Sequence, residues 1–92
     1  MPRVTLTYLA PLCDLAGTYH DQADLPDGAT LVDLAGQLSA RYGSAFRKLL
    51  FDQSGSFEPQ FVIVVDGLAQ SDFSRPLLEG DRVTFIPPVA GG

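Results

Sequence analysis

The stretch TLVDLAGQLSARYG, residues 30–43, predicts one long helix around which the rest of the fold can be organised. Thr30 is a good N-cap, and an acid at Asp33 favours a helix N-terminus, although a complete capping box would prefer Glu or Gln there. Gly43 is a suitable terminator, while Gly36 inside the helix costs up to ~1 kcal/mol relative to Ala. The apolar side chains repeat at helical spacing and form a single stripe, which consists of Leu31, Leu34, Ala35, Leu38 and Tyr42.

Before the helix, the sequence predicts two strands joined by a loop. Residues 3–9 alternate between two faces with the period of a half-buried strand. Residues 18–25 are a weaker strand candidate that ends at the turn signal Pro-Asp-Gly. Residues 10–17 are predicted to be the connecting loop, so that the two strands can form a hairpin.

After the helix, the sequence predicts a short second helix and three more strands. Residues 44–60 combine a short apolar helical pattern with a polar loop. Residues 61–65 are an apolar run that ends at an Asp-Gly turn, and residues 68–71 can return as a short strand. Residues 82–86 form the last strand, which can join the first in parallel. One main helix packed on a small mixed sheet makes an α+β domain of two layers.

Length and composition limit the class of protein. A chain of 92 residues has room for one domain, and 46% hydrophobic against 18% charged residues favour a globular fold over disorder. The net charge is −5 and the basic residues are scattered, so nucleic acid is not an expected partner. We find no secretory leader pattern and no apolar run near the ~20 residues of a membrane span, so we expect a cytoplasmic protein without a membrane partner.

Within the domain, the sequence offers little catalytic or metal-binding chemistry. His20 is the only histidine and is expected on the surface of a strand, while Cys13 is the only cysteine and is expected to be a small, partly buried loop residue. One residue of each type is too few for an ordinary zinc site, and neither Gly-rich phosphate-binding motif occurs. We therefore expect no metal, no bound cofactor and no catalytic group in the domain. Five acids are expected to have structural roles at turns or caps, namely Asp27, Asp33, Asp66, Glu79 and Asp81.

The last six residues, 87–92, carry the strongest chemical signal. Two prolines lack N–H groups and fix φ, so they end the sheet ladder at Ile86 and direct the chain outwards. Six extended residues reach up to ~20 Å. Gly92 has no Cβ to hinder attack at its carbonyl carbon, and its carboxylate, ionised at neutral pH, could attack a nucleotide phosphate. We therefore predict a domain of residues 1–86 followed by an extended, substrate-like tail with Gly92 as its reactive site. The tail residues expected to thread into a partner are Pro87, Pro88, Val89, Ala90 and Gly91.

Several stretches together resemble one known family. They are the first strand and loop with DLAG at residues 14–17, the helix, the sequence PLLEGDRVTFIPPVAGG at residues 76–92 and its final diglycine. In these stretches the chain is similar to the ubiquitin-like sulfur carriers, the MoaD/ThiS group, and most closely to the small subunit of molybdopterin synthase. The resemblance implies a β-grasp fold, in which a mixed sheet of four to five strands packs on one main helix.

The resemblance also implies a chemical cycle for Gly92. An ATP-dependent, E1-like adenylating enzyme activates its carboxylate, and sulfur from a persulfide donor converts the acyl adenylate into a thiocarboxylate. In molybdopterin synthase the tail enters the large subunit, where the sulfur is transferred to a pterin precursor. On this basis the chain is expected to be a sulfur carrier and not an enzyme, because its partners use the ATP and supply the catalytic groups.

Alternation along the strands also predicts a docking face. If one set of strand side chains packs on the helix, the opposite set forms an outward apolar surface on neighbouring strands, which a partner could cover. The alternative explanation is that these residues merely reflect high β-propensity. By resemblance, Leu9 and Ile86 match positions at which the family places partner-facing residues. The inward set is Val4, Leu6, Tyr8, Ile63, Val65, Val83 and Phe85, and the outward set is Leu9, Val62, Val64 and Ile86.

Three functions remain open from the sequence. The first is a sulfur carrier, for molybdopterin synthesis or, as in near relatives, for cysteine, thiamin, tRNA or thio-metabolite synthesis. The second is a ubiquitin-like modifier, in which Gly92 forms isopeptide bonds with lysines of target proteins. In that case polymers linked through side chains would depend on Lys48, the only lysine of the chain. The third is an interaction module with an incidental tail.

Overall fold

Five strands form one mixed sheet in the computed structural model, which describes residues 1–87. The two outer pairs and the pair β3–β5 are antiparallel, whereas β1 and β5 are parallel, as the sequence predicts. The order across the sheet is β2-β1-β5-β3-β4, so the last strand lies in its centre. The strands are β1 (Arg3–Tyr8), β2 (His20–Asp24), β3 (Val62–Val65), β4 (Leu68–Ala69) and β5 (Arg82–Ile86).

The main helix, α2, spans Leu31–Tyr42 and begins at the predicted N-cap. The Thr30 side chain accepts a hydrogen bond from the Asp33 amide, and the Asp33 carboxylate accepts one from the Thr30 amide at 2.9 Å. Asp33 therefore completes a reciprocal capping box, although Glu or Gln is the preferred residue at this position. The helix ends at Gly43, whose amide donates to the Ser39 carbonyl, and α3 follows at Ser44–Leu50.

The predicted loop 10–17 contains a helix, which corrects the sequence-based expectation. This helix, α1, spans Leu12–Ala16, and the left-handed Gly17 that follows it donates its amide to the Cys13 carbonyl. Five residues are too few for a helix to be stable by propensity alone. Leu12 and Cys13 are buried, and α1 packs against α3, so tertiary burial stabilises a helix that the local pattern does not indicate.

The core lies between the inner face of the sheet and the helices. All seven strand residues predicted to face inwards are buried, and so are the stripe residues of α2 apart from the half-buried Tyr42. At the centre, the ring of Tyr8 contacts three aromatic rings, with centroid distances of 5.7 Å to Phe46, 6.1 Å to Tyr42 and 6.3 Å to Phe85. Each such pair adds about 0.5–1.5 kcal/mol beyond the burial of its area, so these rings fix β1 and β5 against α2 and α3.

Candidate functional site

Where β5 ends, three apolar side chains line up on the face of the sheet that points away from the helices, one on β5, one on β3 and one directly after β1. Ile86 pairs with Val62 of β3, and Phe85 pairs with Tyr8 of β1, so Leu9 follows at the level of Ile86. Leu9 is 39% and Val62 42% exposed, and Ile86 is half-buried. We call these three residues, Leu9, Ile86 and Val62, the apolar row. An exposed apolar set of this kind is a candidate contact surface.

The fourth residue predicted for this face, Val64, lies one step further from the end of β5. Its partner on β5 is Thr84, and Thr84 in turn pairs with Thr7 of β1. The next row across the sheet is therefore partly polar, and Val64 itself is half-buried. The outward set thus shares one face, but the apolar surface is concentrated at the end from which the tail departs. Its role in partner binding stays a prediction.

The first tail residue, Pro87, lines a groove at the same end of the molecule. The groove has a volume of about 370 Å³ and is bounded by the turn before α1, by α3 and by the segment that leads into β3. Its lining residues are Pro11, Lys48, Leu49, Glu58, Gln60, Phe61 and Pro87. The remaining predicted tail residues, Pro88, Val89, Ala90, Gly91 and Gly92, lie outside the described residues.

His20 and Cys13, the two side chains considered for nucleophilic or metal-binding roles, differ in exposure and in the element that carries them. His20 is exposed on β2, as predicted, whereas Cys13 is only 6% exposed and belongs to α1 rather than to a loop. Among residues 1–87, no three His, Cys, Asp or Glu side chains are grouped so that they could hold a metal ion. The helices in this part of the chain are also too short or too polar to cross a bilayer.

The five acids predicted at turns and caps all contact nearby donors, and the backbone amides bound by four of them confirm the predicted structural roles of those four. Asp33 belongs to the capping box of α2, and the others bind a terminal amine or backbone amides. The contacts are Asp27 with the Met1 amine at 3.3 Å, Asp66 with the Arg82 amide at 2.9 Å, Glu79 with the Arg3 amide at 2.9 Å and Asp81 with the Leu78 amide at 2.8 Å.

Asp66 and Asp81 lie close together, although they are fifteen residues apart in the sequence and no local pattern indicates their proximity. Burial raises the pKa of Asp81, the Leu78 amide opposes this effect, and the neighbouring carboxyl of Asp66 raises the pKa further. The pair comes from two different turns and lies beside Arg82, where β5 begins. It is therefore a strand length away from Ile86 and outside the region around the tail.

A second unforeseen group centres on Asp21 of β2. Its Oδ2 atom accepts hydrogen bonds from the Tyr8 hydroxyl at 3.0 Å, from Arg41 Nη1 at 2.9 Å and from the Tyr42 hydroxyl. Burial alone raises the pKa of Asp21, but Tyr42, the Gln22 amide, Tyr8 and the charge of Arg41 together hold it below the ordinary value. Burial, and then the hydrogen bond to Asp21, raise the pKa of Tyr8. This group joins β1, β2 and α2, and so fixes the strand β1, which Leu9 directly follows.

The sequence profile of the ThiS family matches residues 6–92, which run from within β1 through the other strands and the helices to the final diglycine. The chain belongs to the ThiS family. Members of this ThiS/MoaD-type family are ubiquitin-like sulfur carriers and modifiers. Among curated protein sequences, none matches the chain.

Comparison with solved structures identifies the fold of this ThiS family chain. Small archaeal modifier protein 1 from Haloferax volcanii has a TM-score of 0.88 at 21% identity, with 97% of this chain and 100% of that chain covered. The putative molybdopterin converting factor, subunit 1, from Pyrococcus furiosus has a TM-score of 0.79 at 27% identity, covering 97% and 100%. A chain of the Amycolatopsis orientalis BexX/CysO complex has a TM-score of 0.75 at 20% identity, covering 97% and 99%. The ThiS family chain described here therefore has the ubiquitin-like β-grasp fold.

Proposed function

We propose that this protein is a sulfur carrier whose Gly92 carboxylate is adenylated by an ATP-dependent activating enzyme and then converted to a thiocarboxylate. The thiocarboxylate donates its sulfur in biosynthesis, and the preferred pathway is molybdopterin synthesis, with this chain as the small subunit of the synthase. The chain acts as a co-substrate, binds no cofactor of its own and leaves the catalytic groups to its partner enzymes. Residues 87–91 thread Gly92 into those enzymes.

The observation that carries this proposal is the place at which the chain leaves the sheet. Because β5 lies between β1 and β3, its last residue, Ile86, stands inside the apolar row rather than at a sheet edge. A partner that covers the apolar row is therefore next to Pro87. From there, the five residues 88–92 can span about 16–18 Å at 3.3–3.6 Å each, which is enough to reach a recessed active centre.

The preference for molybdopterin synthesis over the other pathways is supported by one of the structural comparisons. The Pyrococcus furiosus protein described as a putative molybdopterin converting factor shares 27% identity over nearly the full length of both chains. The Amycolatopsis structure in which a chain of this fold occurs in a complex supports partner binding in general. Cysteine, thiamin, tRNA and thio-metabolite synthesis are the other pathways that a carrier of this family could supply.

A ubiquitin-like modifier is the second candidate, because a modifier protein from Haloferax volcanii has the same fold. In that case the activated Gly92 is transferred to the amino group of a target lysine instead of accepting sulfur. Both candidates need the same terminal activation, so they differ only in the nucleophile that attacks the acyl group.

Intact mass measurement of the protein from its native host tests the proposal. A carrier is expected to end at Gly92 and to occur in part with one oxygen replaced by sulfur. A modifier is expected instead in higher-mass adducts, with a Gly-Gly remnant on lysines of other proteins. Copurification with a molybdopterin-synthase-like large subunit would support the preferred pathway.

Deletion of Gly92 provides the control for both candidates, because it removes the reacting carbonyl without touching the folded domain. The deletion variant is expected to lose sulfur exchange, or the adducts, and to keep the thermal stability of the wild type. If the native protein carries neither sulfur nor adducts, and the deletion has no effect in cells, then the proposal is wrong and the tail is incidental.

A further inference from the structure

The strand β2 is the outermost strand at one side of the described sheet. The Tyr8 amide donates to the Tyr19 carbonyl at 2.8 Å, so residue 19 faces β1, and so do residues 21 and 23. Because backbone direction alternates along a strand, the backbone groups of His20, Gln22 and Asp24 point away from β1. An open strand edge of this kind is a ready template for pairing with another chain.

Side chains close in sequence bind two amides and one carbonyl of this edge. The Thr18 hydroxyl donates to the His20 carbonyl at 2.8 Å, and the same oxygen accepts from the His20 amide at 3.3 Å. The Gln22 amide donates to Asp21 Oδ1 at 2.8 Å. Each of the three outward residues presents one N–H and one C=O, so these contacts occupy three of the six outward groups.

The helix α2 binds two further carbonyls of the same edge. Gln37 Nε2 donates to the Asp24 carbonyl and Arg41 Nη1 to the Gln22 carbonyl, both at 3.2 Å. Four helical residues rise about 6.0 Å and two strand residues span about 6.6–6.8 Å, so the spacing of the two side chains matches that of the two carbonyls. Asp21 Oδ2 also accepts from Arg41 at 2.9 Å, which holds the guanidinium beside the edge. We call Gln37 and Arg41 the edge-blocking pair.

Without these contacts, the edge of β2 fits the same edge of a second copy. In an antiparallel pair with a two-fold axis at Gln22, His20 of one copy lies opposite Asp24 of the other, and every outward N–H meets an outward C=O. The side chains of His20 and Asp24 are exposed, and an imidazole opposite a carboxylate is a favourable cross-strand pair. The edge is therefore self-complementary in this register.

We propose that Gln37 and Arg41 form an autoinhibitory contact, which prevents β2 from pairing with β2 of a second copy of this chain. The inference goes beyond the proposed function and does not depend on the chemistry of Gly92. Pairing requires the two hydrogen bonds of the edge-blocking pair to break in each copy, which makes four per dimer. At the low end of the net strength of such bonds, their presence weakens the dimer by at least about 30-fold.

The test compares the full-length wild type with Q37A/R41A and with a matched control, Q53A/R75A. The control also removes one glutamine and one arginine, both from exposed positions outside β2 and α2. Sedimentation equilibrium is measured from ~10 µM to ~1 mM protein. The wild type and the control are expected to be monomers, whereas Q37A/R41A is expected to form a dimer with a Kd at least about 30-fold lower than that of the wild type.

Two further measurements show whether the association uses β2. Backbone amide exchange at His20, Gln22 and Asp24 is expected to slow as Q37A/R41A is concentrated, because pairing of this edge protects these amides. The substitution Q22K, added to Q37A/R41A, places like charges opposite each other at the two-fold axis and is expected to restore the monomer.

Urea unfolding checks that Q37A/R41A is folded. If it is not, Q37A alone takes its place, because it retains the ion pair between Arg41 and Asp21, and the expected difference in Kd is then at least about 5-fold. The inference is overturned if the variant remains a monomer at ~1 mM, if the wild type or Q53A/R75A dimerises equally well, or if association persists with Q22K and leaves amide exchange along β2 unchanged.

Discussion

Replacement of Asp21 by alanine should destabilise the fold, because it removes the acceptor shared by three donors. The Tyr8 side chain is fully buried, so its hydroxyl would be left without a partner, at a cost of about 1–3 kcal/mol. Arg41 and Tyr42 are partly exposed and can donate hydrogen bonds to water instead. The loss of the ion pair with Arg41 adds about 0.2–1 kcal/mol to the destabilisation. We therefore expect D21A to lower the free energy of unfolding by about 1–4 kcal/mol.

A double-mutant cycle that combines D21A with Y8F measures the coupling energy between Asp21 and the buried Tyr8 hydroxyl. Phenylalanine at position 8 has no donor to leave unpaired, so D21A should cost only about 1 kcal/mol in the Y8F background. The expected coupling of about 1–3 kcal/mol is well above the ~0.3–0.5 kcal/mol scatter of independent sites. Urea unfolding at constant m-value measures all four proteins, and a loss of 2 kcal/mol corresponds to ~8–16 °C in Tm. If the two substitutions are additive, the Tyr8–Asp21 hydrogen bond does not stabilise the fold as argued.

The hydrogen-bonded group around Asp21 also makes the free energy of unfolding depend on pH, and the sign follows from the lowered pKa of Asp21. Because the pKa of Asp21 is lower in the folded protein than in the unfolded chain, the unfolded state binds the extra proton first as the pH falls. The contribution of Asp21 is thus complete above its ordinary pKa of about 4 and is lost as the pH falls through the lowered value. The stability difference between the wild type and D21N should shrink below about pH 4 and stay constant above pH 6. A difference that grows on acidification would contradict this.

Three further predictions concern the partner face and the glycines. I86R should weaken binding to a copurified activating enzyme by at least ~2 kcal/mol, about 30-fold, as for a central contact residue, whereas T5R on the same face but at the other end should bind normally. G36A should raise the free energy of unfolding by about 0.5–1 kcal/mol, since the added methyl points into open space beside the helix. G67A should lower it by about 1 kcal/mol or more despite equal space, because Gly67 has φ 85°. Urea unfolding of both glycine variants is expected to show changes of opposite sign in the free energy of unfolding.

Most of the secondary structure could be predicted because it depends on local patterns. The stripe and caps of α2 follow from side chains three or four residues apart, and the strands follow from alternation. The turn between β3 and β4 follows from Asp66-Gly67, both of which have positive φ. The resemblance to the ThiS family then supplied the β-grasp topology and the roles assigned to the tail.

What could not be predicted depends on contacts between distant parts of the chain. Helix α1 is stabilised by packing of Leu12 into the core rather than by its own propensity, and the hydrogen bonds at Asp21 join residues that a local window does not bring together. The complete capping box of α2 depended on how closely the short Asp33 side chain could approach the Thr30 amide.

The sequence by itself determined the five strands, the helices α2 and α3, the inward and outward faces of the strands and the composition of the tail, because each of these follows from periodicity or from residue type. Only the tertiary structure decided that β5 lies in the centre of the sheet, that Leu9, Ile86 and Val62 form one row beside Pro87, and that Lys48 shares a groove with the start of the tail. The physical reason is that strand order and groove shape follow from packing across the whole core, which no local pattern encodes.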